Sequence, residues 1–482
     1  MIILVSSKIT QSTIQSSLGK PEYSYFFLLK EFLPALQCIG EVITVTLDQV
    51  DTLYHQYREQ GQQVIFLSIS PPQQTPTNLQ CPTVCLFAWE FPDTPDQPWD
   101  NNPGNDWRYV FSRIAGAIAC SEESAQAVRN IMGPDYPVIA LPAPIWPQYQ
   151  HLLPETGWEP AKPGRVLEFS GHVIDSRVLG LSADGLVQHL PRPSTTASRA
   201  LAPRATPGAF TLSAKLFREW RAALHRRRQL LASTAPDGVE PPPSMIGTQP
   251  VDNCRLELSG VVFCSMFSPS DGRKNWTDIV TAFCWAFRDT PDATLILKMT
   301  HHDLESYRIF LLTMLSRLAP FQCRVLTLHG YLSDQQYREL ISASDFYVNA
   351  STGEGLCLPL MEFLSAGKPA LAPRHTAMLD YLDEQVALVV QSSVEPACWS
   401  HDPVGILRTR RHRINWQSLM EGYRQAYQLA QNDAPAYRCL SRNAWERMKA
   451  FADPSVVVAP MSRLFAAVQP SEPRMSGQRS MP

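Results

Sequence analysis

No run of about 20 consecutive apolar residues occurs in this chain, so we expect no membrane-spanning helix. The opening Met-Ile-Ile-Leu-Val run is too short for the apolar core of a secretory signal. Neither sign of charge is in excess. The 42 Lys and Arg against 45 Asp and Glu leave a formal net charge of -3, which excludes a global attraction to nucleic acid or to membranes. A disulfide framework is missing too. The 11 cysteines are odd in number and scattered, and Cys85, Cys120, Cys264 and Cys284 sit inside apolar runs. That usage reads as reduced, buried thiols in a cytoplasmic protein. Cys81-x-x-x-Cys85 has the spacing of half a zinc site, yet no second pair or neighbouring His completes it.

What is present is length and alternation. A chain of 482 residues should form two or three domains. Short apolar runs at Ile2–Val5, Val42–Val45, Val64–Ser68, Val84–Ala88, Ala117–Cys120 and Val138–Leu141 read as strands. Between the first two, Tyr25, Leu28, Leu29, Phe32 and Leu36 recur at helical spacing. Strand and helix alternating in this way predict an α/β fold with a parallel, doubly wound sheet. Ile118 to Ala125 reads as a strand running into a helix capped by Ser121 or Ser124.

The character changes from about residue 146 to 254. Prolines crowd at 191–207 and 236–250, and apolar periodicity mostly vanishes, which marks an inter-domain insertion. Inside it, Lys215–Leu231 places Phe217, Trp220 and leucines among arginines. This is a candidate for peripheral contact with an anionic membrane, or for an ordinary packed helix. Val166–Gly171 and Leu256–Gly260 read as strands flanking the insertion. A second α/β rhythm starts near Arg255, with strands at Val261–Met266, Thr294–Leu297 and Val325–Leu328. His301-His302-Asp303 reads as a solvated loop, because adjacent side chains converge poorly on one ion. Two helices, Trp416–Asn432 and Ala436–Phe451, close the pattern before a frayed tail.

The densest chemistry lies in Ser351-Thr-Gly-Glu354-Gly-Leu-Cys-Leu-Pro-Leu-Met-Glu362. It follows an apolar strand, Asp345 to Ala350, and enters a helix with Pro359 at its first position and Gly367 just past its end. A strand, a glycine-containing loop and a helix in that order make the βα turn at which open α/β sheets bind ligands. The helix start favours an anion. Glu354 falls in the loop and Glu362 on the first helical turn. Carboxylates beside a phosphate site are suited to accepting hydrogen bonds from sugar hydroxyls, so the chemistry suggested is recognition of a phosphate-linked sugar.

From His329-Gly-Tyr-Leu-Ser-Asp334 through Tyr337 to Ile341, Ala343 to Asp345, Ser351, Glu354-Gly355, Leu358-Pro359, Glu362 and Ala366-Gly-Lys-Pro369, the chain resembles the donor-binding half of the retaining glycosyltransferases of the GT-B fold, especially glycosyltransferase family 4. The resemblance implies two Rossmann-like domains facing a cleft, the second holding a nucleotide-sugar donor and the first the acceptor. It places Glu354 on donor-sugar hydroxyls and Glu362 on the ribose. Backbone of Gly355, Leu356, Cys357 and Leu358 would meet sugar and diphosphate, and Tyr331 and Leu332 would meet the base. Lys274 falls on the family's diphosphate lysine, whereas the arginine position is Ser268, with Arg273 the neighbouring substitute. The adjacent glycines usual after the first strand are absent. Gly19 is the single glycine of that loop, and Glu90 stands where the family often has a His near the reacting sugar.

The domain reading is therefore 1–150 for the acceptor domain and 151–254 for the insertion. Residues 255–415 form the donor domain, 416–466 the helices crossing back, and 467–482 a tail. The expected activity is sugar transfer with retention to a glycan or lipid-linked acceptor, in cell-surface polysaccharide assembly, by a cytoplasmic protein that engages no nucleic acid. No cofactor is expected, the nucleotide sugar being a substrate. No Asp-x-Asp motif is present to hold a metal–diphosphate, so no metal is expected either. A non-catalytic sugar-binding or scaffold relative fits the missing arginine and glycines. Another GT-B sugar-phosphate enzyme, a phosphorylase or epimerase, shares the fold but not this pair of glutamates.

Overall fold

Uninterrupted apolar runs become strands buried on both faces, and the computed structural model gathers them into two sheets. It describes residues 1–6, 23–177, 251–300, 304–399, 402, 405 and 407–469. The Gly19 loop, the 215–231 segment, His301-His302-Asp303 and the tail beyond residue 469 lie outside the described residues.

The first sheet contains β1 (Ile2–Ser6), β2 (Glu41–Thr44), β3 (Val64–Ile69), β4 (Thr83–Phe87), β5 (Gly116–Ala119) and β6 (Val138–Ala140), all parallel, in the order β2-β1-β3-β4-β5-β6. Its described helices are α1 (Tyr23–Ile39), α2 (Val50–Glu59), α3 (Trp107–Phe111), α4 (Glu122–Met132) and α5 (Trp146–Tyr149). On α1, Leu28, Phe32, Ala35 and Leu36 are buried against the sheet, the face that the spacing predicts. Ser121 caps α4 by accepting from the Ser124 amide at 3.2 Å.

The second sheet has the order β14-β13-β12-β9-β10-β11-β7-β8. It is built from β7 (Arg165–Asp175), β8 (Val251–Leu258), β9 (Val261–Phe267), β10 (Ala293–Met299), β11 (Arg324–His329), β12 (Phe346–Val348), β13 (Ala370–Pro373) and β14 (Ala387–Val390). Strands β9 to β14 pair in parallel, whereas β7 runs antiparallel to both β11 and β8. The strands on either side of the 178–250 stretch therefore extend the second sheet. Arg324 fixes that edge, its guanidinium pairing with Asp175 and donating to the Glu257 carbonyl at 2.6 Å.

The helices of this half are α6 (Trp276–Ala286), α7 (Leu304–Leu318), α8 (Asp334–Ala343) and α9 (Leu358–Ser365). An antiparallel hairpin, β15 (Ser392–Cys398) with β16 (Arg408–Ile414), forms a small sheet of its own. Three helices end the described chain: α10 (Trp416–Asn432), α11 (Ala434–Ala452) and α12 (Pro454–Ala467). The sequence predicts only two helices there. The third begins at Pro454, with Asp453 as its cap through the Ser455 amide. It packs Val457, Met461, Leu464 and Phe465 into the core that α1 shares. Both sheets belong to one compact unit.

All 11 cysteines are free; Cys81 and Cys85 are buried, and burial pushes both thiols up to about 12. Among the described residues no helix is long and apolar enough to cross a membrane.

Candidate functional site

In the second sheet the chain leaves β9 toward β10 on one side and returns to β12 on the other. The loops after β9 and β12 thus lie side by side at a topological switch point, where crossovers part and a crevice opens. The first loop supplies Arg273 and Lys274 on a 3₁₀ turn capped by Asp271, whose carboxylate accepts from the Arg273 amide at 3.1 Å. Asn275 follows in the left-handed region at φ 49° and ends the turn. The second loop supplies Asn349 to Cys357. The two loops are tied by the Thr352 amide donating to the Arg273 carbonyl at 2.9 Å.

Glu354 is the centre. Its side chain is 3% exposed, and Lys274 Nζ lies 2.7 and 2.8 Å from its two oxygens. Arg273 reaches Oε2 at 3.1 Å and Asn349 Nδ2 reaches Oε1 at 3.1 Å, with Ser351 Oγ donating as well. Burial alone would push this carboxyl up. The Lys274 and Arg273 cations outweigh it and hold the group far below the usual carboxylate range. Its backbone amide donates to Thr376 Oγ1 at 2.9 Å.

Arg273 gathers more carboxylates: Asp271 at 2.8 Å, Glu354, and Glu90 at 3.4 Å. Burial disfavours its charge, but Glu90, Asp271 and Glu354 keep it firmly protonated. Glu90 stands just beyond β4 of the first sheet, so the cluster is drawn from both sheets. The two backbones nearly touch. A Cβ on Gly355 would lie 2.8 Å from the Trp89 nitrogen, and one on Gly353 would lie 2.8 Å from the Glu90 carbonyl oxygen. These two glycines are therefore required by close approach.

The glutamates eight positions apart have different hydrogen-bond partners. Helix α9 starts at Leu358, one residue earlier than its proline suggests, with Cys357 preceding it in the left-handed region at φ 63°. That phase puts Glu362 beyond the first turn, where the Tyr337 and Tyr149 hydroxyls donate to it. Burial pushes Glu362 up to about 7. Glu31, on α1, is pushed up to about 8 by burial and by the Glu362 charge. Tyr331 is 36% exposed, and Leu332 packs against the core. Leu356 and Cys357 are buried, Leu358 partly so. The Ser268 hydroxyl pairs with that of Ser270, and the cations of this loop are Arg273 and Lys274.

Three residues that the sequence does not single out stand at a neighbouring strand end or against the Glu354 loop. Lys298, buried at the carboxyl end of β10, donates to the Gly330 carbonyl at 2.5 Å, and burial pushes it down to about 8. His375 lies over the Glu354 loop, and His412 stacks on it. A buried lysine at a strand end was a usable signal, whereas the two histidines carried none. Among the described residues no three His, Cys, Asp or Glu side chains converge to hold a metal ion.

No protein-family model matches the chain, and no curated protein matches its sequence. Its architecture does match solved structures. Anabaena HepE in complex with UDP superposes with a TM-score of 0.50 at 13% identity, over 97% of this chain and 99% of that one. The sucrose-phosphate synthase of Thermosynechococcus elongatus does so at 0.50 and 12% identity, over 97% and 98%. Both neighbours are GT-B glycosyltransferases. The fold of this chain is GT-B. In GT-B terms, Glu90 belongs to the first Rossmann-like domain, and Arg273, Lys274 and Glu354 to the second.

Proposed function

We propose that this protein is a glycosyltransferase moving a sugar from a nucleotide-sugar donor to a glycan or lipid-linked acceptor, with retention and without a metal ion. One observation carries the reading: two cations and a buried carboxylate meet at the switch point of the second sheet, facing a carboxylate of the first. A nucleoside diphosphate offers Lys274 and Arg273 the anionic oxygens that phosphate-binding cations favour. Once they turn to it, Glu354 is free to accept from the sugar hydroxyls.

In the reaction the acceptor oxygen bonds to the anomeric carbon as the bond from that carbon to the phosphate oxygen breaks. The leaving phosphate oxygen takes the acceptor's proton on the same face. Lys274 and Arg273 stabilise the charge that develops on the diphosphate, and Glu354 positions the sugar. Glu90, held against Arg273, is the candidate to orient the acceptor hydroxyl.

HepE was solved with UDP, so uridine diphosphate sugars are the first donors to test. The experiment is a screen for nucleoside diphosphate release across nucleotide sugars, with and without glycan acceptors. Release from one donor class supports the reading. Binding without turnover would make the protein a sugar-nucleotide binder, and isomerisation without release would make it an epimerase. Either result overturns transfer.

A further inference from the structure

The hairpin of β15 and β16 belongs to neither Rossmann-like sheet, yet it touches the site and both domains. It leaves the second sheet after β14 and returns into α10, with Ser392 paired to Ile414 at its base. Its far end is planted in the first domain. Trp399 and Leu407, both buried, join the apolar cluster of Phe87, Trp89 and Trp107, and the Trp399 ring lies 5.2 Å from that of Trp89. Thr409 Oγ1 donates to Asp93 of the first domain at 3.2 Å.

Between base and tip the hairpin grips the Glu354 loop. The His412 amide donates to the Thr352 carbonyl at 2.8 Å. The His412 ring stacks on His375, with centroids 4.3 Å apart and planes 14° from parallel. His375 Nε2 lies 3.0 Å from the Ser351 carbonyl oxygen, which can only accept, so Nε2 carries the proton and donates. Next to it, Thr376 Oγ1 receives the Glu354 amide.

We infer that this hairpin is a positioning strap for the Glu354 loop, and that His412 is the positioning residue through which it acts. The chain of contact runs from the first domain through Thr409 and His412 to His375, and from there to Ser351 and Glu354. Burial holds His375 down to about 3 and lowers His412 too, with Arg410 adding to the latter, so the stack is one of neutral rings. A flat partner is what the geometry uses; a charge on it is not.

The test compares His412→Ala and His412→Phe in the full-length chain. Hydrogen–deuterium exchange reads the strap directly. Amides at 351–356 and 375–377 should exchange at least about tenfold faster in the alanine variant and return toward wild type in the phenylalanine variant, while the strands of the second sheet stay protected. The kinetic arm rests on the glycosyltransferase reading. There kcat should fall roughly tenfold or more in His412→Ala, with partial recovery in His412→Phe. If wild type releases no nucleoside diphosphate from any donor, that reading fails while the exchange arm still decides the strap. Unchanged exchange at 351–356 overturns the inference, as does faster exchange spread over the whole second sheet with a matching fall in Tm. Should His412→Ala not fold, Thr409→Val carries the same comparison through the hydroxyl to Asp93.

Discussion

At the scale of single residues, the site is an ion-pair cage closed on itself. Glu354→Gln keeps the shape and removes the charge that Lys274 and Arg273 face. Breaking a buried pair on one side costs about 3 kcal/mol or more, because the partner is left uncompensated. Transfer should fall more than about a hundredfold, and Tm should drop measurably in a protein that still folds; full activity in the folded variant would sink the assignment. The wild-type pair also sets a pH dependence. A carboxyl held below its unfolded value contributes stability present above that value and lost as pH falls. Lys274→Ala should weaken binding of a nucleoside diphosphate far more than binding of the nucleoside, since only the phosphates meet the cation. Equal losses by calorimetry would place Lys274 elsewhere. Because these cations do the neutralising, transfer should survive exhaustive chelation; a strict demand for added manganese or magnesium would contradict this. Glu354 and Lys274 were legible in the sequence because each follows a strand and a turn with recognisable punctuation. His375 and His412 were not, because their roles exist only through contacts between residues 37 positions apart in a chain without periodicity there.

At the scale of elements, strands read well wherever apolar residues run together, as in β3, β9 and β10. Strand β16 did not, because Arg408, Arg410, Arg411 and Arg413 give it no apolar face to detect. It is held by its pairing with β15, and Arg411 and Arg413 share Glu395 at 2.7 Å each. The βα turn between β12 and α9 shows how a loop can be legible in outline but not in phase. Its glycine, proline and cap signals were present, yet the helix starts one residue earlier than its proline suggests, and the Tyr337 hydroxyl that meets Glu362 comes from α8, which no spacing within the turn announces. The same turn yields a sharp prediction. Gly355→Ala adds a methyl group 2.8 Å from the Trp89 nitrogen and 3.1 Å from the Ala88 carbonyl carbon, both backbone atoms that cannot swing aside. The loop must lift off the first domain, at a cost of roughly 1–3 kcal/mol, and transfer should fall with it. Gly272→Ala is the control, having nothing within 4 Å of the added carbon and no special backbone angle. Denaturant titration of the two variants should separate them cleanly.

At the scale of the whole molecule, the two domains meet through acids that dislike being charged. Glu31 on α1 is 3% exposed and accepts from Gln148 Nε2, and Glu362 on α9 lies among the Tyr337 and Tyr149 hydroxyls. Lys30 on α1 pairs with Asp334 on α8 at 2.9 Å, so a salt bridge spans the same seam. At another point Asp380 of the second domain accepts the Glu122 amide at 3.0 Å, and burial with Asp380 pushes neighbouring Glu123 up to about 7. Glu31, Glu362 and Glu123 each bind their proton more tightly when folded than when unfolded. Stability from such groups is fully present below the unfolded value near 4.5 and is lost as pH rises through the folded one. The protein should therefore lose stability between about pH 5 and pH 8 on account of this seam, opposite in sign to the contribution of Glu354 at lower pH. Glu31→Gln removes the largest of these shifts while keeping an acceptor for Gln148. It should gain on the order of 1–3 kcal/mol over wild type at pH 8 and little at pH 5. Tm measured across that range decides it. Parallel curves for variant and wild type would mean that Glu31 is ionised in the fold and that the seam is held by some other balance of charge.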